Sequence, residues 1–298
     1  MRRAICGVLL LAACGAEVGE PGVWVPIGTL TPPLVAESAD LPSNARAAPP
    51  APTTLRIVTF NVERGEDPDA IASAILEHPE IADAGLYLLQ EEETHPGEPI
   101  SRAARLASAL GLAFTYVPAR RYGDGTHGLA ILSAYPLSEI TSMTLPSTAT
   151  GQARIAIAAN VQLGDFTLPV IDVHLDTTIN ITDRILELRP AVIDAPDTVV
   201  VAGDFNTNRF MWQDGLPLLP TATIADTDQA PILDDYMRAI GFDTPTAELG
   251  ATEHMFGVES RLDSIYVRGL EATPGAVVRS VDVSDHWPMW VDISLPVP

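Results

Sequence analysis

From residue 54 onward, short apolar runs alternate with amphipathic segments whose hydrophobic residues recur every three or four positions. Short runs rich in Val, Ile and Leu are typical of strands, and a period near 3.6 residues is typical of helices. The helical pattern covers residues 68–78, 100–110, 182–194 and 232–240. The strand pattern covers residues 56–61, 85–90, 112–117, 128–133, 153–162, 166–174, 198–202, 262–267, 277–283 and 289–294.

The arrangement of these segments predicts the fold class. Gly164 and Asp165 separate two of the strand patterns, and a Gly-Asp pair between apolar runs is a hairpin signal. Residues 54–298 are long enough for one large α/β domain. Many strands with few helices fit two packed mixed sheets flanked by helices.

The first residues have the features of a bacterial signal peptide. Arg2 and Arg3 precede an apolar run over residues 4–13, which is too short to span a bilayer as a helix. The sequence Leu11-Ala12-Ala13-Cys14 resembles a lipobox, in which the signal is removed before Cys14 and the Cys14 thiol is lipidated. The alternative is ordinary secretion with cleavage nearby. We therefore expect residues 1–13 to be a signal peptide and the protein to be lipid-anchored or secreted in the bacterial cell envelope.

Residues 14–53 differ in composition from the rest of the chain. They are rich in Pro, Ala, Gly and Glu and show no sustained period. Proline keeps such a segment extended and hinders its entry into a sheet, so the sequence predicts a tether between the anchor and the domain. Trp24 could instead dock on the domain and shorten the free part.

Charge narrows the classes of partner. The chain has 39 acidic residues against 17 basic ones, all of them Arg. Removing residues 1–13 takes away two Arg and no acid, which leaves 15 against 39 and a net charge of −24. Such a surface does not favour long nucleic acid, whose binding depends on basic residues. The absence of Lys excludes a phosphate-loop Lys and a Schiff-base Lys, and Cys14 without Cys6 cannot form an internal disulfide.

Polar side chains stand where apolar strands end. Asp204 and Asn206 follow the strand at 198–202, two residues apart, so in an extended segment they point to the same side. An ordinary capped turn is the alternative for this pair alone. Carboxylate and amide oxygens suit Mg²⁺ or Mn²⁺, and histidines titrate near neutral pH. The other strand-end residues of this kind are Asn61, Glu91, His174, Asp263, Asp285 and His286.

Seven short motifs occur in an order that resembles the endonuclease/exonuclease/phosphatase superfamily, the DNase I-like fold. They are the strand ending at Asn61, Leu-Gln-Glu at 89–91, Gly-Leu-Ala-Ile-Leu-Ser at 128–133, His-Leu at 174–175, Gly-Asp-Phe-Asn at 203–206, Arg-Leu-Asp at 261–263 and Ser-Asp-His at 284–286. The resemblance runs from about residue 55 to about residue 295 and implies a four-layer α/β/β/α sandwich. It also implies a Mg²⁺ or Mn²⁺ site with Glu91 as the principal carboxylate and Asn61 and Asp285 nearby.

The same resemblance implies catalytic roles. Asp204 and Asn206 would orient the attacking water and a phosphate oxygen, and Asp204 would accept a proton. His286 would contact the phosphate or act as acid or base, with Asp263 accepting its other N–H. His174 would stabilise charge on the transferring phosphoryl group or assist the leaving oxygen.

Structural interpretations stand beside these. A lone histidine is more often structural, which we apply to His78, His95, His127 and His254. Arg154 and Arg184 are interpreted as structural partners of surplus acid. Asn61 could only cap its strand, and Glu91 could only belong to the solvated acidic run at 91–93.

Two positions depart from the family pattern, and two aromatic residues are candidate substrate contacts. Leu129 stands where relatives often carry a polar residue, and Ala134 where they often carry Arg. Tyr122 is a candidate to supply the missing polar contact. Phe210-Met211-Trp212 follows the Gly-Asp-Phe-Asn motif in an expected loop. There Trp212 either tucks into the core, which we favour, or contacts substrate.

These observations predict a monomeric, divalent-metal-dependent phosphoesterase that hydrolyses a phosphodiester or phosphomonoester by in-line attack of water. A secreted or surface nuclease of the same superfamily is the first alternative. A catalytically weak binding domain on the same fold is the second. Nucleic acid, lipid headgroups and small phosphates all stay open as substrates, with nucleic acid not favoured by the charge.

Overall fold

Two mixed β-sheets pack face to face, and helices cover their outer faces. The computed structural model describes residues 21–32, 34–43, 45, 52–146, 152–208, 210–213, 216–220, 229–255 and 257–296. Buried residues of both sheets, among them Ile57, Leu88 and Val200, form one continuous core between the sheets. The predicted α/β class with two packed sheets and flanking helices is confirmed.

The first sheet has six strands in the order β1-β7-β8-β9-β10-β15. These strands are β1 (Trp24–Pro26), β7 (Leu137–Thr144), β8 (Ile155–Leu163), β9 (Phe166–His174), β10 (Val199–Asp204) and β15 (Asp263–Arg268). Strand β10 pairs with β9 in parallel and with β15 antiparallel, so the sheet is mixed. The predicted hairpin is present, with Leu163 opposite Phe166.

The second sheet has seven strands in the order β16-β17-β3-β4-β6-β5-β2. These strands are β2 (Glu37–Ala39), β3 (Thr54–Asn61), β4 (Leu86–Thr94), β5 (Ala113–Tyr122), β6 (Gly125–Ser133), β16 (Ala272–Val277) and β17 (Met289–Ser294). Strands β3 and β4 are parallel, and their carboxyl ends meet at the same edge as the ends of β9 and β10. Two small hairpins, β11–β12 (Phe210–Gln213, Leu216–Pro220) and β13–β14 (Glu253–Met255, Val258–Ser260), lie outside both sheets.

Helices α1 (Pro68–Glu77), α2 (Pro79–Ala82) and α3 (Arg102–Leu110) pack on the seven-stranded sheet, and α4 (Ile181–Val192) and α5 (Gln229–Ala239) on the six-stranded one. Their starts follow ordinary capping chemistry. Asp67, Ser101 and Asn180 accept hydrogen bonds from the backbone N–H of the third residue of α1, α3 and α4. No helix in the described part of the chain is long and apolar enough to cross a membrane.

The N-terminal segment corrects one expectation. Part of the predicted tether at 14–53 enters the sheets, because β1 pairs with β7 and β2 pairs with β5. The backbone N–H of Ser101 also donates to Glu37 Oε2 at 3.1 Å. Proline is tolerated here because both strands lie at sheet edges, where one side of the backbone needs no partner. Cys14 and the signal segment lie outside the described residues.

A second correction concerns the strand expected at 277–283. The strand instead ends at Val277 and begins at Ala272, across Pro274 and Gly275. An edge position next to β17 and an irregular register between Pro274 and Val277 accommodate both residues. The strand pattern of β7 was missed, because its Ser and Thr residues give it little apolar character.

Candidate functional site

A cavity of about 750 Å³ opens where the carboxyl ends of β3, β4, β9 and β10 meet. Six of the residues predicted for the site line it: Asn61, Glu91, Asp204, Asn206, Asp285 and His286. Tyr122 lies at its rim and is 37% exposed. His174 and Asp263 are buried directly behind the lining, in contact with it. The structure thus brings the strand-end residues of both sheets to one place.

Glu91 reaches the cavity through a β-bulge. Gln90 pairs with Leu129 and Glu92 with Gly128, so Glu91 is an extra residue in β4. Its φ of 64° is unusual for a residue with a side chain. Bulges commonly redirect a side chain beside a functional site. Gly128, opposite Glu92, is required for a different contact, because a Cβ there would lie 2.1 Å from the Val117 carbonyl oxygen of β5.

Asn61 and Asp204 join the two sheets at the floor of the cavity. Asn61 Nδ2 donates to Asp204 Oδ2 at 3.0 Å, and Asn61 Oδ1 accepts from the Glu63 backbone N–H at 3.1 Å. Burial raises the pKa of Asp204 to about 6, with the negative charge of Asp263 acting in the same direction. Asp204 is therefore ionised at neutral pH and able to take up a proton just below it.

The turn after Asp204 is tightly held. Asp204 Oδ1 accepts from the Asn206 backbone N–H at 2.8 Å, and Asn206 Nδ2 donates to the Leu175 carbonyl at 2.9 Å. Phe205 is buried between them and packs edge-on against Tyr266, with ring centroids 5.1 Å apart. Burial of such a ring stabilises the fold by about 1.5–3 kcal/mol. The segment is thus the capped turn given as the alternative to an extended one, with Asn206 at a φ of 51°, and both Asp204 and Asn206 line the cavity.

His286 is held by a carboxylate. Its Nδ1 lies 2.8 Å from Asp263 Oδ2, and its backbone N–H donates to Ser284 Oγ at 3.1 Å. Burial alone would lower the pKa of His286, but the charge and hydrogen bond of Asp263, with Asp204 and Asp285, raise it well above its ordinary value. His286 is therefore an imidazolium at neutral pH, with Nε2–H facing the cavity.

His174 has the opposite character. Its Nε2 lies 3.4 Å from Asp204 Oδ2, and Arg154 Nη1 lies 3.0 Å from both of its ring nitrogens. Burial and the positive charge of Arg154 lower the pKa of His174 well below its ordinary value. The neutral His174 and the charged His286 flank the same carboxylate. When the environment drives the pKa values of two neighbouring groups apart, one can act as the general acid while the other stays neutral.

Three carboxylates crowd one side of the cavity. The Asp285 backbone N–H donates to Glu63 Oε2 at 3.1 Å. Burial, and then the Asp285 charge, raise the pKa of Glu63, while burial and the Glu91 charge raise the pKa of Asp285. This mutual repulsion, with a second lone pair of Asn61 Oδ1 nearby, fits a hard divalent cation. Asp204, Asp263 and His286 also approach within 4.8 Å of one another, but their contacts already satisfy His286 Nδ1.

The sequence analysis did not single out Arg120, and it interpreted His127 as structural and Arg154 as a partner of surplus acid. All three line the cavity. His127 Nε2 lies 3.9 Å from Glu91 Oε2. A signal for Arg154 existed in the predicted hairpin, because the register from Leu163 and Phe166 continues to Ile155 opposite His174. Arg154 is the next residue.

The other candidate residues of the sequence analysis do not line the cavity in the described part of the chain. Arg184 is fully buried and bonds to the Asp176 and Thr177 carbonyls, which supports its structural interpretation. His78, His95 and His254 do not line the cavity, although the His254 backbone N–H donates to the carbonyl of the lining residue Asp285. Leu129 and Ala134 are buried in the core. Trp212 lies in a short hairpin strand rather than a loop, and its side chain is outside the described residues.

Known proteins share this fold. A model of the Endonuclease/Exonuclease/phosphatase family matches residues 58–286. An endonuclease/exonuclease/phosphatase from Beutenbergia cavernae is 18% identical with a TM-score of 0.63, over 82% of this chain and 72% of that one. A protein of the same family from Leptotrichia buccalis is 14% identical with a TM-score of 0.60, over 82% and 100%.

A third similar structure is TDP2 from D. rerio, complexed with a single-strand DNA product. It is 18% identical with a TM-score of 0.56, over 82% of this chain and 100% of that one. At these identities the likeness concerns the fold. No curated protein matches the chain in sequence.

Proposed function

Because the chain belongs to the Endonuclease/Exonuclease/phosphatase family, we propose that it is a divalent-metal-dependent phosphoesterase that hydrolyses a phosphate ester by in-line attack of water. One observation supports this most. Asp204 lies between a neutral and a charged histidine, and the carboxylates of Glu63, Glu91 and Asp285 are close by. Base, acid and cation ligands are the parts that metal-assisted phosphate hydrolysis requires.

Asn61, Glu91 and Asp285, with Glu63 beside them, would hold Mg²⁺ or Mn²⁺. The bound cation would supply positive charge to the phosphate oxygens. Glu91 is well suited because it is ionised: burial opposes this, but the hydrogen bond and charge from His127 and the charge of Arg154 hold its pKa well below its ordinary value.

Asp204 would orient the attacking water and take its proton. Asn61 Nδ2 and the Asn206 backbone N–H fix its two oxygens, and the remaining lone pairs can accept a hydrogen bond from the water. His286 would donate Nε2–H to the phosphate or to the leaving oxygen. His174, neutral and deep beside Asp204, would hold that carboxylate in place, while Arg154 adds positive charge next to it.

The cellular setting is part of the proposal. A lipobox at Cys14 supports anchoring of the domain to a membrane of the bacterial envelope. The two strands contributed by residues 24–39 hold the chain on the domain from Trp24 onward. Lipidation would therefore keep the enzyme close to the bilayer surface.

The nuclease alternative has one observation in its favour. Arg120 and Arg154 line one side of the cavity in a chain whose formal net charge is −22, so that side can attract an anion although carboxylates line much of the rest. This pattern suits small or single-stranded phosphate esters better than long duplexes. The weak binding domain is disfavoured, because the full set of residues for hydrolysis is present: Asp204, Asn206, Asp263, Asp285 and His286.

A chromogenic assay tests the proposal. We expect turnover of bis-p-nitrophenyl phosphate in Mg²⁺ or Mn²⁺, its loss in EDTA, and its loss in His286→Ala. His78→Ala is the matched control, because His78 contacts the Ala74 carbonyl far from the cavity. If wild-type protein and His286→Ala show the same rate, the site is not catalytic. If the chromogenic diester is hydrolysed, a panel of plasmid DNA, RNA, sphingomyelin and phosphoinositides would identify the substrate class.

A further inference from the structure

Two arginines at the cavity lack carboxylate partners in the part of the chain that the structure describes. Arg184 has none there either, but its guanidinium is satisfied by the Gln229 side chain and two backbone carbonyls. Arg102 is paired with Glu93 and Glu98, and Arg261 with Asp234. Arg154 is only 5% exposed and Arg120 is half-buried, yet neither forms an ion pair with any carboxylate among the residues that the structure describes. This is unexpected in a chain with 39 acidic residues.

Specific N–H groups of Arg154 and Arg120 lack hydrogen-bond acceptors among the described residues. Arg154 Nε is buried and without a hydrogen-bond partner in the described part of the chain. Arg120 donates to the side chain of the exposed residue Gln152, and to no other group that the structure describes. A buried guanidinium N–H without an acceptor costs free energy, because water no longer solvates that N–H. Such a cost is expected where a ligand supplies the missing acceptor.

Arg120 and Arg154 also repel each other. Burial and the positive charge of Arg154 lower the pKa of Arg120 to about 10. Glu91 is the strongest negative influence on Arg120, and its charge also interacts with that of Arg154. A divalent cation bound by Glu91 would neutralise that charge and leave the two guanidinium groups facing each other. An anion between them would relieve the repulsion.

The pair continues toward the rim of the cavity. The Arg120 guanidinium lies 5.7 Å from the Tyr122 ring centroid, and that of Arg64 lies 5.9 Å from it. Within the described ranges, Arg64 Nη1 forms an ion pair only with the exposed Glu66, at 3.5 Å. Three positive groups, Arg154, Arg120 and Arg64, therefore follow one another toward the rim, with the Tyr122 ring beside the outer two.

We propose that Arg120 and Arg154, with Tyr122 beside them, form a subsite for a second phosphate group of the substrate. This rests on the proposed function, in which the phosphate that is hydrolysed lies between His286 and the cation. The second phosphate would bind on the Arg120 side, away from Asp204. The substrate is then a phosphate ester that carries another phosphate close by, with room at Tyr122 for a planar or apolar group.

A pair of chromogenic probes isolates the second phosphate. Thymidine 5′-(p-nitrophenyl phosphate) has one phosphate, and its 3′-phosphorylated form adds a second while the leaving group is the same. We expect the wild type to favour the 3′-phosphorylated probe about tenfold or more in kcat/KM, chiefly through KM. Arg120→Gln should reduce that ratio to near one.

Arg121→Gln is the matched control. Arg121 is the next residue in β5, carries the same charge, is exposed and does not line the cavity. It should keep the wild-type ratio, which separates a local contact from a change in net charge. Thermal midpoints of both variants check folding. A wild-type ratio near one, or the same ratio in Arg120→Gln as in the wild type, would overturn the subsite.

A binding experiment can test the second phosphate subsite independently of catalysis. Calorimetry with thymidine 3′,5′-bisphosphate and thymidine 5′-monophosphate, with Mg²⁺ present, needs no turnover. A preference for the bisphosphate that Arg120→Gln removes and Arg121→Gln keeps supports the subsite even if neither probe is hydrolysed. Equal affinity for the two nucleotides in the wild type contradicts it, whatever the catalytic result.

Discussion

His286 Nδ1 lies 2.8 Å from Asp263 Oδ2, and the two residues come from different sheets. Asp263 begins β15 of the six-stranded sheet, and His286 precedes β17 of the seven-stranded sheet. The relative position of the two sheets therefore sets the charge state of the histidine. A change that shifts the sheets would reach the chemistry through this contact.

The contact between His286 and Asp263 predicts different kinetic effects for His286→Ala and Asp263→Asn. His286→Ala removes the proton donor and should reduce kcat by about 10²–10⁴-fold. Asp263→Asn keeps the imidazole but removes the charge that raises its pKa. We expect a smaller loss, with the alkaline limb of the rate profile moved to lower pH by about 1–3 units. Rates measured from pH 5 to pH 10 check this. An alkaline limb that stays in place would mean that His286 is not the titrating donor.

Glu91→Gln should abolish turnover while leaving the thermal midpoint nearly unchanged. Glutamine keeps the shape of the bulge, and the Glu91 side chain is 27% exposed, so few packing contacts change. The lost negative charge removes the principal ligand of the proposed cation. Turnover across a Mg²⁺ titration is the measurement, and Glu66→Gln, at the exposed rim, is the control. Full activity at limiting Mg²⁺ would rule out Glu91 as a ligand.

The neighbouring Glu92 gives a prediction about stability. Burial raises the pKa of Glu92 to about 8, from 4.5 in the unfolded chain. Folding is therefore favoured by its proton below about pH 4.5, and that contribution is lost as the pH rises to about 8. The loss is at most about 1.4 kcal/mol for each pH unit. Glu92→Gln should flatten the fall in thermal midpoint between pH 5 and pH 8, measured in EDTA. Identical slopes in wild type and variant would show that Glu92 ionises normally.

Lipidation at Cys14 predicts a change of location. Cys14→Ala, expressed with its signal, should either release the domain from the membrane fraction or stop its maturation, because no thiol is left to carry the lipid. Incorporation of radiolabelled palmitate is the readout. Equal labelling of wild type and Cys14→Ala would exclude this cysteine as the modified residue.

The sequence was sufficient where one local pattern determines one element. The apolar strands ending at Asn61, His174 and Asp204 carry their polar residues to the cavity because parallel neighbours end at the same edge. Helices α1, α3 and α4 were predicted within two residues from their periodicity.

The sequence was insufficient where distant segments decide the environment. His127 looks like any lone histidine until β4 and β6 pair and place it 3.9 Å from Glu91. Arg120 and Arg154 become notable only when they are found enclosed without carboxylate partners. The strands β1 and β2 were missed because edge strands need little apolar character, and proline concealed them further.

Residues 24–39 run along two open edges at once, since β1 covers β7 in one sheet and β2 covers β5 in the other. An uncovered edge is a template on which a second molecule can add its own strand, and proteins commonly blunt such edges with short strands, proline or charge. Pro26 and Glu37 supply two of those devices. A chain shortened to begin at residue 52 would expose both templates, so self-association, rather than loss of catalysis, is the first consequence to expect from trimming this segment.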